Sequence, residues 1–149
     1  MKTQLPLAFL LFFSLVNGSA CYANTSSIDS QLRQALKDSI NTADSFADRF
    51  DAEVWLISTS EKLKRFIKDP KQRLITLQKI HHAATQEGLE PELVLAVIQI
   101  ESAFNPYAVS RVGAQGMMQV MPFWKKEIGR PEDNLISLDT NLRYGCAIL

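Results

Sequence analysis

The chain has 149 residues, 16 basic and 16 acidic side chains, and 46% hydrophobic residues, which suits one ordinary globular domain and requires no second. A formal charge of zero, with no Lys/Arg run and no Gly-rich phosphate loop, argues against a nucleic-acid partner. Two cysteines, Cys21 and Cys146, imply no structural disulfide.

Residues 1–23 read as an export signal: Lys2 supplies the positive end, residues 5–16 the apolar core, and Gly18, Ser19 and Ala20 the small residues that precede cleavage. The apolar run is too short to span a bilayer comfortably, so no stable membrane span is expected once the signal is removed. Cleavage after Ala20 and cleavage after Ala23 both fit. A lipid on Cys21 is the lesser alternative, because Gly18 stands where lipoprotein signals usually carry Leu. Cys146 lies on an apolar helical stretch and reads as a small buried hydrophobe.

Residues 24–72 form an amphipathic helical segment. Ile28, Leu32, Leu36 and Ile40 make one stripe, and Phe46, Phe50, Val54, Trp55, Ile57, Leu63 and Phe66 continue the pattern, with a break expected near Ser58, Thr59 and Ser60. Asp69-Pro70 starts the next helix, an acidic N-cap followed by proline at the first helical position, and Gly88 supplies its left-handed stop. Its buried face carries Leu74, Leu77, Ile80, His81 and Ala84. His81 and His82 point about 100° apart on a helix and have no third ligand at metal spacing, so they read as a half-buried and an exposed histidine, and no metal or organic cofactor is indicated.

Glu90-Pro91 opens a helix in which Leu93, Val94, Leu95, Ala96, Val97, Ile98 and Ile100 leave hardly any polar face, the pattern of a helix enclosed by protein on all sides. Asn105-Pro106 disfavours helix beyond Phe104, which puts Glu101 in the last turn. The negative end of the helix dipole and burial both favour a protonated carboxyl, the form a general acid needs. The plain alternative is a glutamate bonded inside the core or turned outward at the helix end.

A loop follows over 105–115, then one or two helical turns from Gly116. Met117, Met118 and Met121 suit either core filling or a groove for the flat faces of sugars. A short helix over 123–128 ends at Gly129, 130–137 is loop, and Asp139 is expected to cap a last helix over 140–149. That helix has no closing turn, so the chain is expected to be truncated.

The blocks ESAFNP, SRVGAQGMMQVMP and NLRYGCAIL resemble the soluble lytic transglycosylase family of bacterial cell-wall enzymes. The resemblance implies an all-α, goose-type-lysozyme-like domain over 73–149, incomplete at its C-terminus, with peptidoglycan glycan strands as its partner and a periplasmic or secreted location. By the same likeness Glu101 matches the catalytic acid, and Ser110, Gln119 and Met121 fall where the family meets its substrate. Ser102, Phe104 and Asn105 match positions that hold the helix end and loop. Met117 replaces the commoner Leu, Asn141 and Gly145 fall on the third block, and Ile148 stands where many members have Tyr.

Glycosidases usually work with two carboxylates, yet between Glu101 and Glu127 there is no Asp or Glu. The resemblance implies that the substrate supplies its own nucleophile: the muramic acid 6-hydroxyl closes a 1,6-anhydro ring while Glu101 serves first as acid and then as base. The rivals are a lysozyme-like hydrolase using Glu127, Glu132 or Asp139 as second carboxylate, and a non-catalytic wall-binding fragment.

Overall fold

A computed structural model describes residues 23–41 and 44–149 of the chain. The expected export signal, Cys21 included, lies outside the described residues apart from its last position. Among the described residues there are six helices and no strands: α1 Ala23–Asn41, α2 Arg49–Leu63, α3 Pro70–Gln86, α4 Pro91–Ser102, α5 Trp124–Ile128 and α6 Leu138–Ile148. The fold is all-α, as the sequence pattern requires.

The centre of the fold is α3, which packs against α1, α2, α4 and α6. Its two ends are set locally. The Asp69 carboxylate accepts from the Gln72 N–H at 2.8 Å and Pro70 occupies the first turn. At the other end Gly88 takes φ +67°, and the Leu89 N–H returns to the Ala84 carbonyl at 2.9 Å. Between them Leu74, Leu77, Ile80 and Ala84 are buried. Continuous through residues 72 and 73, α3 joins the N-terminal segment to the part that follows.

The first two helices exist as expected, but their boundary does not fall at Ser58, Thr59 and Ser60, which lie inside α2. Thr59 and Ser60 are buried, and the Ser60 hydroxyl accepts from Nε of Arg73 at 3.1 Å. The buried Arg73 also donates to the carbonyls of Ile67 and Lys68. Of the small polar residues that read as a breaker, Ser60 is thus a hydrogen-bonding contact that α2 makes with α3.

A second correction concerns α6. It begins at Leu138 with Ser137 as its N-cap. Asp139, expected as the cap, lies in the first turn and holds Lys79 of α3 at 2.6 Å.

The third correction bears on the site. Far from being enclosed, α4 buries only Val94 and Ile98, while Leu93 is 50% and Ile100 83% exposed. Its neighbour α3 covers one face, and no described residue covers the stripe that Leu93 and Ile100 share. No described helix is long and apolar enough to cross a membrane.

Candidate active site

The C-terminal turn of α4 carries Glu101, as expected. The carboxylate is exposed and bonds to no described residue, so the described protein does not supply the burial that the sequence reading invoked. The helix stops abruptly after it. Ala103 and Phe104 both take left-handed backbone, at φ +51° and +64°, which a right-handed helix cannot continue. Such conformations are uncommon for residues other than glycine and persist only where the surroundings enforce them. Here the Phe104 ring is buried against Phe66, with centroids 5.1 Å apart, and anchors the turn.

One side chain ties this helix end to the glycine-rich block: the Ser102 hydroxyl donates to the Met117 carbonyl at 2.7 Å. The block is not the helical turn the sequence predicts. Isolated bridges pair Val109 with Gln115 and Gln115 with Val120, and the residues between them form an open turn. Gly116 at φ +75° and Gln119 at φ +51° lie in the left-handed region, which excludes helix across the segment.

Ser110 and Gln119 are brought into this one looped unit, each with a bonding role in it. The Ser110 hydroxyl accepts from the Ala114 N–H at 3.0 Å and retains its own proton to donate. The Gln119 amide nitrogen donates to the carbonyls of Gly116 at 2.8 Å and Ala108 at 3.2 Å. The amide oxygen of Gln119 is its only side-chain atom that bonds to no described residue. Met117 and Met118 are core residues, and Met121 is half-buried beyond the second bridge.

Asn141 of α6, noticed in the sequence only as a motif position, organises the whole turn. Fully buried, it accepts from the Met118 N–H at 2.7 Å and donates to the carbonyls of Gln115 and Leu135, each at 2.8 Å. Every polar atom of the side chain is used, each on backbone of the turn or of the loop before α6. A Cβ at Gly116 would collide with the Asn141 amide and the Leu135 carbonyl, and one at Gly145 with Met118. The glycines are small because Asn141 and Met118 occupy the space.

On the far side of α6, Tyr144 is buried and donates to Asp133 at 2.6 Å. That bond, with help from the Arg130 N–H and Arg143, holds the Asp133 carboxyl down at about 2. The cluster pins the 130–137 loop to α6. Cys146 is buried as expected, and burial pushes its thiol up to about 11. Of the acids weighed as a second carboxylate, Asp139 is engaged by Lys79, Glu132 lies 3.7 Å from Arg130, and Glu127 is exposed on α5. Among the described residues no three His, Cys, Asp or Glu side chains converge as metal ligands.

An all-α domain that presents a single acid at the end of an apolar helix, above a glycine-dependent turn, is a narrow class. Residues 78–149 match the family described as the transglycosylase SLT domain, and that part of the chain belongs to it. Similar proteins include a membrane-bound lytic murein transglycosylase C of Photorhabdus laumondii, 53% identical over 79 residues, covering 47% of this chain and 22% of that protein. A transglycosylase of Enterobacteria phage PRD1 is 42% identical over 67 residues, 45% of this chain and 24% of its own length. A membrane-bound lytic murein transglycosylase C of Yersinia pestis is 52% identical over 42 residues, 28% of this chain and 12% of its own. The chain thus spans less than a quarter of the length of these relatives. No solved structure matches it.

Proposed function

We propose that this domain cleaves the β-1,4 bond between N-acetylmuramic acid and N-acetylglucosamine in peptidoglycan, leaving 1,6-anhydro-muramoyl ends, with Glu101 as the only protein acid/base. The observation that carries the reading is the placement of an unengaged carboxylate one residue before Ser102, whose hydroxyl fixes the helix end to the turn that bears Gln119. The names of the relatives, which are transglycosylases, support the same reaction class.

Glu101 gives its proton to the glycosidic oxygen as the bond to C1 of the muramic acid breaks. The muramic 6-hydroxyl closes on C1 and returns its proton to Glu101. No water enters, and the products together have the mass of the substrate. Intramolecular attack gains from effective concentration, so the protein needs only to hold the sugar and move one proton. Ser110, with a proton free to donate, and the Gln119 amide oxygen are the proposed contacts for the sugar's N-acetyl and hydroxyl groups, with Met121 along the same wall.

Residues 24–72 are proposed to brace the catalytic part over 73–149 through α3, after removal of 1–23. Export to the bacterial envelope fits both that signal and the words "membrane-bound" in the names of relatives.

Mass spectrometry of digested sacculi tests the reaction: anhydro-muropeptides are expected, whereas reducing ends alone would establish a hydrolase and binding without cleavage a wall-binding module. Glu101→Gln is expected to lower turnover at least about a hundredfold with an unchanged melting temperature, and retained turnover would remove Glu101 from its role.

A further inference from the structure

We propose that two copies of this chain associate antiparallel through the outward face of α2, where an apolar stripe lies between an acidic and a basic end. The side that α2 buries carries Ala52, Leu56 and Leu63. On the opposite side Phe50, Val54 and Ile57 follow at helical spacing and are 72%, 51% and 46% exposed. Single exposed apolar residues are ordinary, but three large ones aligned on the face a helix turns away from its core form a patch that marks a contact surface.

The charges around the stripe identify its occupant. Asp51 lies in the first turn of α2 with Glu53 just beyond it, Lys62 lies in the last turn, and Lys64 caps the helix with helical backbone. Asp51 and Lys62 are three turns apart and share one edge of the stripe, while Glu53 and Lys64, also three turns apart, share the other. A two-fold axis across the stripe reverses one helix against the other and keeps each edge beside its own copy. Asp51 of one copy then faces Lys62 of the second, Glu53 faces Lys64, and each pairing is made twice. All four side chains are exposed; Asp51, Glu53 and Lys62 bond through their side chains to no described residue, and Lys64 has only Glu61, at 3.5 Å in an open pair.

The helix dipole accounts for acids at one end and bases at the other, but not for the apolar residues on the solvent side between them. A parallel pairing would set acid on acid and base on base, and an anionic lipid surface would meet Asp51 and Glu53 as well as the lysines, so both fit this face less well. The apolar stripe of α4 differs, because that helix carries Glu92 and Glu101 and no basic residue, and two copies meeting there would repel. The side of α2 that meets α4 is separate again: there Trp55 Nε1 donates to Glu92 at 2.8 Å. The inference does not depend on the glycan reading of the function.

A contact between two single helix faces is small, so the expected dissociation constant is on the order of 10–100 µM. Sedimentation equilibrium of the exported chain, from Asn24 onward, over a concentration series tests it. A monomer–dimer equilibrium is expected, weakening several-fold when salt is raised from about 0.05 M to about 0.5 M. Phe50→Ala should weaken it about tenfold. Asp51→Lys with Glu53→Lys makes both ends basic, and Lys62→Glu with Lys64→Glu makes both acidic. Each double variant alone should stay monomeric at about 100 µM, whereas the two mixed should form a heterodimer. Every altered side chain is exposed, so helical circular dichroism should match the parent throughout. A parent that stays monomeric to about 1 mM, undiminished association of folded Phe50→Ala, or mixed variants that fail to pair would each overturn the interface. So would adsorption to phosphatidylglycerol vesicles through Phe50 in place of self-association, which would assign the stripe to a lipid surface.

Discussion

Two helices of this molecule begin alike and end in opposite situations. Each opens on an acidic residue and a proline, Asp69-Pro70 for α3 and Glu90-Pro91 for α4. The more polar of the two, α3, is packed by four neighbours, whereas α4, nearly all apolar, leaves Leu93 and Ile100 open. Apolar composition records what a helix can have against it, and packing records what it does have. In this chain the polar helix supports the fold and the apolar helix carries Glu101 in its last turn.

That contrast is broken most directly at α3. Leu77 is fully buried on α3, the helix against which four others pack. Leu77→Ala should lower stability by about 2–5 kcal/mol, seen as a fall in the urea midpoint. A loss of less than about 1 kcal/mol would mean that α3 is not the centre of the core.

How much of this was readable from the residues depends on the range over which each feature is determined. The ends of α3 were legible because Asp69, Pro70 and Gly88 act on backbone within a few positions of themselves. The position of Glu101 in the last turn was legible for the same reason. The break wrongly expected at Ser58, Thr59 and Ser60 depends on Arg73, which no window around Ser60 contains. The left-handed backbone of Ala103, Phe104 and Gln119 leaves no mark in residue type, since glycine alone advertises positive φ. Asn141 stood out as a motif position, but its work consists of three bonds to backbone 6 to 26 residues away.

A smaller effect comes from the contact between α3 and its surroundings that senses pH. The His81 ring is stacked on Phe46 with centroids 3.5 Å apart, meets Trp55 edge-on, and hydrogen-bonds Ser45 through Nδ1 at 2.8 Å. Burial lowers its pKa below the ordinary 6.5, an effect opposed by Glu92 of α4 and aided by His82. The folded state therefore binds fewer protons than the unfolded chain in this window. Stability is full above about pH 6.5 and falls as the pH drops toward the depressed folded value. Asp133, held at about 2, adds its own loss only between about 3.8 and 2. Urea midpoints should thus decrease from about pH 8 to about pH 5, and His81→Phe should flatten that slope while leaving the more acidic loss in place. An equal slope in both proteins would place the proton uptake elsewhere.

The smallest effect belongs to α4, and it sharpens the comparison most. Ile100 is 83% exposed, one position before Glu101. Ile100→Ala removes a branched side chain that loses little water contact on folding, so the change in stability should stay within about 0.5 kcal/mol, a small fraction of that at Leu77. Alanine also has the better helix propensity, which offsets part of the loss. A fall of about 2 kcal/mol or more would show that the Leu93 and Ile100 stripe is covered in solution, and with it that α4 is enclosed as its composition predicts. An unchanged midpoint, with turnover retained, would instead mean that the acid needs only the anchored helix end, held by Phe104 and Ser102, and no apolar wall along the exposed face.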